Sequence, residues 1–318
     1  MTTRRRGLAI GCGGVLGFAW TAVALDAVER ALHWDARSAD VLIGTSAGAE
    51  IVAALGAGRT PGDLLDALDG APAADPVIAA HVAVDPGATP PLPRLGLPGL
   101  GLIGAGLRRG SVYTALSGVL PTGRGDANWL RAYGRALTPR GGWVEHPATW
   151  LVAADARTGE RVAFGSPRAP RVDLGSAIAA SWAIPGWFPP VPIDGRAFVD
   201  GGAVSSVSAD LLVPLDLDEV VIVAPMTSAG GAPATGLSRV ERLLRAQMTK
   251  GLDAEVAALR AAGTRVIRVE PGPAELAAMG PNFMDATRRP ATLAAARRAV
   301  PARVADAIRA SVREGENV

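Results

Sequence analysis

The chain has 318 residues, 49% of them hydrophobic, enough for a substantial buried core, so a disordered or fibrous polymer is excluded. Lysine and arginine total 32 against 30 aspartate and glutamate, and a net charge of +2 gives no reason to expect a nucleic-acid partner. A single cysteine, Cys12, rules out an intrachain disulfide and a cysteine-based zinc site, and fits a reducing, cytoplasmic setting.

The opening MTTRRRGLAIGCGGVLGFAW joins arginines to an apolar run, as an export signal does. Glycines interrupt that run, and only Gly7 to Gly11 separate the arginines from Cys12, so no cleaved leader is expected. No stretch has the roughly 20 unbroken apolar residues of a membrane-spanning helix. Gly7 to Cys12 (GLAIGC) reads as a strand ending in glycines, and Phe18 to Leu32 as a helix with apolar residues at mixed spacings of three and four. Asp40 to Thr45 (DVLIGT) is a second strand, stopped by Ser46-Ala47-Gly48 and followed by the helix-like AEIVAAL.

From Gly70 to Gly125 the chain turns to Pro, Gly and Leu with no sustained period, which predicts a cap or lid insertion rather than sheet. Thr149 to Ala156 and Arg161 to Gly165 read as paired strands, and Leu174 to Ala183 as a helix leading into the Pro-rich AIPGWFPPVPI. Arg196 to Asp200, Glu219 to Ala224 and Arg265 to Glu270 are further strands, with helices over Leu237 to Ala262 and from about Pro290 onward. Alternating strands and helices predict one α/β domain: a three-layer α/β/α sandwich on a mostly parallel sheet, with a cap over about 70–125.

Three motifs carry chemistry. Gly44-Thr45-Ser46-Ala47-Gly48 matches G-x-S-x-G between a strand and a helix, the setting in which a serine is exposed on a tight turn beside a helix N-terminus. The same small residues can serve packing alone. Gly11-Cys12-Gly13-Gly14-Val15-Leu16-Gly17 can aim successive backbone N–H groups at one point, as an oxyanion hole requires. It also resembles a dinucleotide loop, but the second strand ends without the acidic residue that would take a ribose. Tyr113 and Tyr133 also lack a lysine four residues on, so no cofactor is expected, nor a metal. Asp200-Gly201-Gly202 follows a strand, although Asp-Gly is by itself a common turn.

The histidines, His33, His81 and His146, all precede Asp200, whereas an α/β-hydrolase triad runs Ser, acid, His. A serine with an aspartate base therefore accounts for the sequence better than a triad. The ordered set of GCGGVLG at 11–17, GTSAG at 44–48 and DGG at 200–202, with SAIAASWAIPGWFPPV ahead of the last, resembles the patatin-like phospholipase family. That resemblance implies a Ser46–Asp200 dyad, oxyanion donors at Gly13 and Gly14, and structural roles for Gly11, Gly17, Gly44, Gly48, Gly201 and Gly202. It implies a lipid or acyl-ester substrate and peripheral contact with a membrane. Leu16 stands where the family often has Arg or Lys, which points away from a strongly anionic phospholipid. Leu, Pro and Trp residues around 86–107 and 182–192 are candidates for an acyl pocket. An acyltransferase on the same dyad and a non-catalytic lipid-binding protein stay open as alternatives.

Overall fold

A computed structural model describes residues 4–92, 99–109, 112–228, 231, 234–236 and 238–315. Its centre is an eight-stranded sheet: β1 (Arg6–Ile10), β2 (Val41–Thr45), β3 (Thr149–Asp155), β4 (Arg161–Phe164), β5 (Val191–Ile193), β6 (Arg196–Asp200), β7 (Glu219–Val223) and β8 (Arg265–Val269). The order is β5-β6-β3-β2-β1-β7-β8, with β4 paired to β3. Pairs β1–β2, β2–β3, β1–β7 and β7–β8 are parallel, while β3–β4, β3–β6 and β5–β6 are antiparallel.

The central strands β1, β2 and β7 are apolar apart from Arg6, Thr45 and Glu219 at their ends, because both faces of the sheet are covered. Leu8, Ile10, Val221, Val223 and Ile267 face one core, together with α1 (Gly14–Leu32), α2 (Ala47–Gly56), α8 (Leu174–Ser181) and α11 (Arg289–Gly315). Ala9, Val41, Ile43, Val220 and Ile222 face the other, against Leu252, Val256 and Leu259 of α9 (Ser238–Ala261) and the 3-10 stretch Ala209–Leu215. The result is the expected three-layer α/β/α arrangement on a mostly parallel sheet. Among the described residues no helix is long and apolar enough to cross a membrane.

Local readings differ from the structure in three places. Helix α1 begins at Gly14 rather than Phe18, so the glycine-dense turn is only Gly11–Gly13. The Pro-rich run hides β5, in which Pro192 faces Ala197 on an edge strand, where its missing N–H breaks no inner ladder. The stretch 70–125 read as irregular holds three helices where described, α4 (Pro76–Val82), α5 (Leu100–Arg109) and α6 (Val112–Val119), with α3 (Pro61–Asp69) ahead of it and α7 (Asn128–Leu137) behind it. Thr60 and Asp63 form a capping box, and Asp75 caps α4 ahead of Pro76, so Pro and Asp mark helix starts there rather than turns. In α5 the glycines answer to packing, since a Cβ on Gly101 would lie 1.6 Å from the Arg157 carbonyl oxygen and one on Gly106 2.3 Å from the Ala115 nitrogen. Residues 93–98 and 110–111 of the expected cap lie outside the described residues.

The turn from β2 into α2 crosses β1 at close range. A Cβ on Gly48 would sit 2.2 Å from the Ile10 carbonyl oxygen, and one on Gly44 2.3 Å from the Gly48 oxygen. Gly48→Ala should therefore destabilise the fold by about 1–3 kcal/mol, read from urea unfolding, because backbone rather than a flexible side chain must move. An unchanged midpoint would show that the crossing is looser than this geometry.

Candidate active site

Strand β2 delivers Ser46 at its end. Ser46 has φ 56° and ψ −120°, a backbone conformation costly for a residue with a side chain, and α2 begins at the next residue. The turn is held by Ser181 of α8, whose hydroxyl accepts from the Ser46 N–H at 2.8 Å and donates to the Val152 carbonyl of β3 at 2.6 Å. Sequence reasoning missed Ser181, whose only local signal is a hydroxyl at the end of a helix that is apolar apart from it and Ser176.

Asp200 arrives from the opposite direction along the same strand. Residues 151–152 of β3 pair with both β2 and β4, and residues 153–154 with both β4 and β6. A strand has two edges, so β4 occupies one, and β2 and β6 share the other in succession. Thr45 faces Val152 and Asp200 faces Ala153, which brings the ends of β2 and β6 together. The Asp200 N–H donates to the Ala183 carbonyl at 2.9 Å, and its carboxyl accepts from the Gly202 N–H at 2.7 Å. Gly201 has no room for a side chain, because a Cβ would lie 2.7 Å from the Val152 carbonyl oxygen.

Burial pushes the Asp200 carboxyl up to about 7, and the charge of Glu50 acts in the same direction. The neighbouring Ser46 hydroxyl and the Gly202 N–H that donates to the carboxyl oppose the rise without cancelling it.

The glycine loop supplies the third side. The Gly11 N–H donates to Val223, Cys12 to Ser206, Leu16 to Phe283 and Gly17 to Gly13, at 2.9, 2.8, 3.1 and 2.8 Å. Among the described residues the N–H groups of Gly13 and Gly14 donate to no backbone carbonyl, and both residues line the same cleft as Ser46. Gly14 has φ +57°, and a Cβ there would lie 2.6 Å from the Phe283 ring. The N-termini of α1 and α2 thus both open beside Ser46, a setting that favours developing negative charge.

The cleft, counted with its solvent-open mouth, spans about 690 Å³. Ser46, Asp200, Gly13, Gly14 and Gly202 line it, whereas Gly11, Gly17, Gly44, Gly48 and Gly201 lie outside its lining and shape the backbone behind it. Its apolar wall is Leu120, Ile184, Pro185, Met226, Leu244, Met248 and Phe283, with Ser117 and Cys12 completing it. The wall expected from 182–192 is present in Ile184 and Pro185, but no described residue of 86–107 lines the cleft, and Trp182 faces elsewhere. Burial raises the Cys12 thiol, with Asp200 adding to the effect, so it stays protonated. No Lys, Arg or His side chain lines the cleft among the described residues.

The histidines have other partners. His33 is the exposed C-cap of α1, and the His146 Nε2–H donates to the Ala39 carbonyl at 2.8 Å. His81 is buried, its Nε2 2.9 Å from Glu50 Oε1 and its ring in stacking contact with Tyr133 and with Trp129. Glu50 lies on α2 one turn beyond Ser46, and burial raises its carboxyl. This buried pair has no sequence signature, because its members are 31 positions apart. Among the described residues no group of three or more His, Cys, Asp and Glu side chains is arranged to hold a metal ion.

A model of the family described as patatin-like phospholipase matches residues 8–213, which include the glycine loop, Ser46 and Asp200. No curated protein sequence matches the chain. Among solved structures, VipD from Legionella pneumophila aligns at 12% identity and a TM-score of 0.45, over 96% of this chain and 67% of VipD. The family match spans well over half of the 318 residues, and on that ground the chain belongs to the patatin-like phospholipase family, a family of lipid acyl hydrolases.

Proposed function

We propose that the protein is a serine acyl hydrolase of lipid carboxylic esters, working through Ser46, Asp200 and an acyl-enzyme. The observation that carries this reading is the meeting of Ser46 and Asp200 at one edge of β3, with the carboxyl buried and pushed up to about 7. A carboxylate of that basicity accepts a proton near neutrality far better than a solvated aspartate does.

Asp200 takes the hydroxyl proton as Ser46 Oγ bonds to the acyl carbonyl carbon. The oxyanion that forms accepts from the Gly13 and Gly14 N–H groups. The ester C–O bond then breaks, and the departing alcohol takes the proton from Asp200. Water repeats the sequence on the acyl-serine: Asp200 removes its proton, the fatty acid leaves, and Ser46 regains its hydrogen. Leu120, Leu244, Met248 and Phe283 are suited to hold the acyl chain. The absence of a lining cation among the described residues favours an uncharged acyl ester in the cleft over a phosphate-bearing head group there.

Asp200→Asn should lower kcat/KM on a short-chain ester by about 10²- to 10⁴-fold with circular dichroism unchanged, while His33→Ala and His146→Ala remain active. A dead, folded histidine variant alongside an active Asp200→Asn would replace the dyad with a triad.

The pH profile follows from the same carboxyl. Asp200 must be deprotonated to act, so kcat/KM should fall as pH drops through about 7 and level off above it. An acid limb near the ordinary carboxylate range of about 4 would remove Asp200 as the titrating base.

Holding that base in a buried site has a stability consequence of defined sign. The folded state keeps the Asp200 proton up to about 7, whereas an unfolded chain releases it near 4. Relative to Asp200→Asn, the wild type should therefore lose stability as pH rises from about 4 to about 7, by on the order of 1 kcal/mol per pH unit. Urea titrations of both proteins across that range measure it, and parallel pH dependences would contradict the burial argument.

A further inference from the structure

Two consecutive glycines carry the proposed oxyanion donors, and glycine by itself fixes no backbone angle. Gly13 is extended at φ 177°, and Gly14 is left-handed at φ +57°. A glycine populates positive and negative φ about as readily, so the chain alone leaves both N–H directions free. Donors that act on a transition state must be aimed before the reaction begins. Whatever aims them here has to come from neighbouring segments.

Each glycine has a ring against it. A Cβ on Gly13 would lie 2.8 Å from Cγ of Pro225, and one on Gly14 would lie 2.6 Å from Cδ2 of Phe283 and 2.9 Å from Sδ of Met284. Gly13 offers α1 no side-chain cap, and the Leu16 N–H in the first turn donates instead to the Phe283 carbonyl at 3.1 Å. Phe283 thus holds the loop twice, by its ring on Gly14 and by its carbonyl on Leu16. The segment that carries it joins α10 (Pro273–Met279) to α11 and is itself pinned. Met284 is buried in the core, and the Asp285 N–H closes a turn on the Asn282 carbonyl at 3.1 Å. Asn282 accepts from the Met284 N–H at 3.0 Å through Oδ1 and donates to the Ala88 carbonyl at 2.7 Å through Nδ2.

We propose that Phe283 is a positioning residue, its ring and carbonyl holding Gly14 and the first turn of α1 in the arrangement that aims the Gly13 and Gly14 N–H groups at the substrate oxyanion. Pro225 closes the clamp from the Gly13 side. The effect on turnover rests on the acyl-hydrolase reading, whereas the clamp is a property of the fold and is measurable without substrate. Phe283 also lines the cleft, and Leu244 separates the two roles. It shares the cleft wall and the apolar cluster of Phe283 but is not among the nearest neighbours of either glycine.

The test compares the full-length wild type with Phe283→Ala, Phe283→Leu and Leu244→Ala. Amide hydrogen exchange is read at Leu16 and Gly17, whose N–H groups donate to the Phe283 and Gly13 carbonyls. It should quicken about ten-fold in Phe283→Ala and about three-fold in Phe283→Leu, with the amides of β1 and β7 unchanged. Leu244→Ala should leave exchange at both positions as in the wild type. On a short-chain ester kcat should fall in the same order, by about ten-fold for Phe283→Ala, because a misaimed donor costs less than the roughly 10²- to 10³-fold of a lost one. KM should stay within about two-fold, since the donors act on the transition state more than on the bound ester. The acid limb of the pH profile should not move, because Asp200 keeps its surroundings. Phe283→Leu keeps the site filled and carries the comparison if the alanine variant does not fold. Wild-type exchange in the Phe283 variants, a loss confined to KM, or a displaced acid limb overturns the proposal. So does exchange quickened equally by Leu244→Ala. Failure of the hydrolase reading looks different: the wild type leaves the ester intact while the Phe283 variants still loosen Leu16 and Gly17.

Discussion

The structure turns on the edge of β3, where two strands end against each other. Because β4 holds the far edge, β2 and β6 must divide the near one between them, and neither can extend without displacing the other. Each chain therefore leaves the sheet at the junction, β2 as a tight turn into α2 and β6 as the Gly201–Ala203 turn. The two side chains at the junction are Ser46 and Asp200. Ser181 locks the arrangement from α8, satisfying both the Ser46 N–H and the Val152 carbonyl that the junction would otherwise strand.

Burial at that junction sets the electrostatics. A carboxyl with one backbone donor and one hydroxyl neighbour in a dry site is less stabilised as an anion than it would be in water. The Glu50–His81 pair lies one helical turn from Ser46 and keeps a second carboxyl close enough to add to the effect. Such groups are destabilising for the fold and suited to exchanging protons near neutrality.

Met226, Leu244, Met248 and Phe283 of the cleft's apolar wall come from the part of the chain beyond residue 213, where the family match ends. Helix α9 is anchored to the strand-β6 side by Glu255, which accepts from the Ser205 hydroxyl and from the Ala209 N–H at 2.8 Å. Nearer its start, the Arg245 guanidinium pairs with Glu241 and donates to the Pro225 carbonyl. The Pro225 ring lies against the glycine loop, since a Cβ on Gly13 would meet it at 2.8 Å. One helix thereby positions Leu244 and Met248 in the cleft and braces the loop that carries the Gly13 and Gly14 donors.

By itself the sequence determined the layer architecture, because long apolar strands alternating with helices have few other ways to bury both faces of a sheet. It also marked Ser46, Gly13, Gly14 and Asp200, whose signals are local: a residue type within four positions of glycines, at the end of an apolar run. Helix α5 was hidden because its Gly101 and Gly106 serve close packing against Arg157 and Ala115, contacts that no local window of sequence reveals. Only the tertiary structure decided that β2 and β6 share one edge, that Ser181 and the Glu50–His81 pair surround the junction, and that Met226, Met248 and Phe283 close the cleft. Those features depend on strand register and helix docking between segments tens to hundreds of residues apart. Such contacts are selected by how whole faces pack, and a local pattern carries no record of its distant partner.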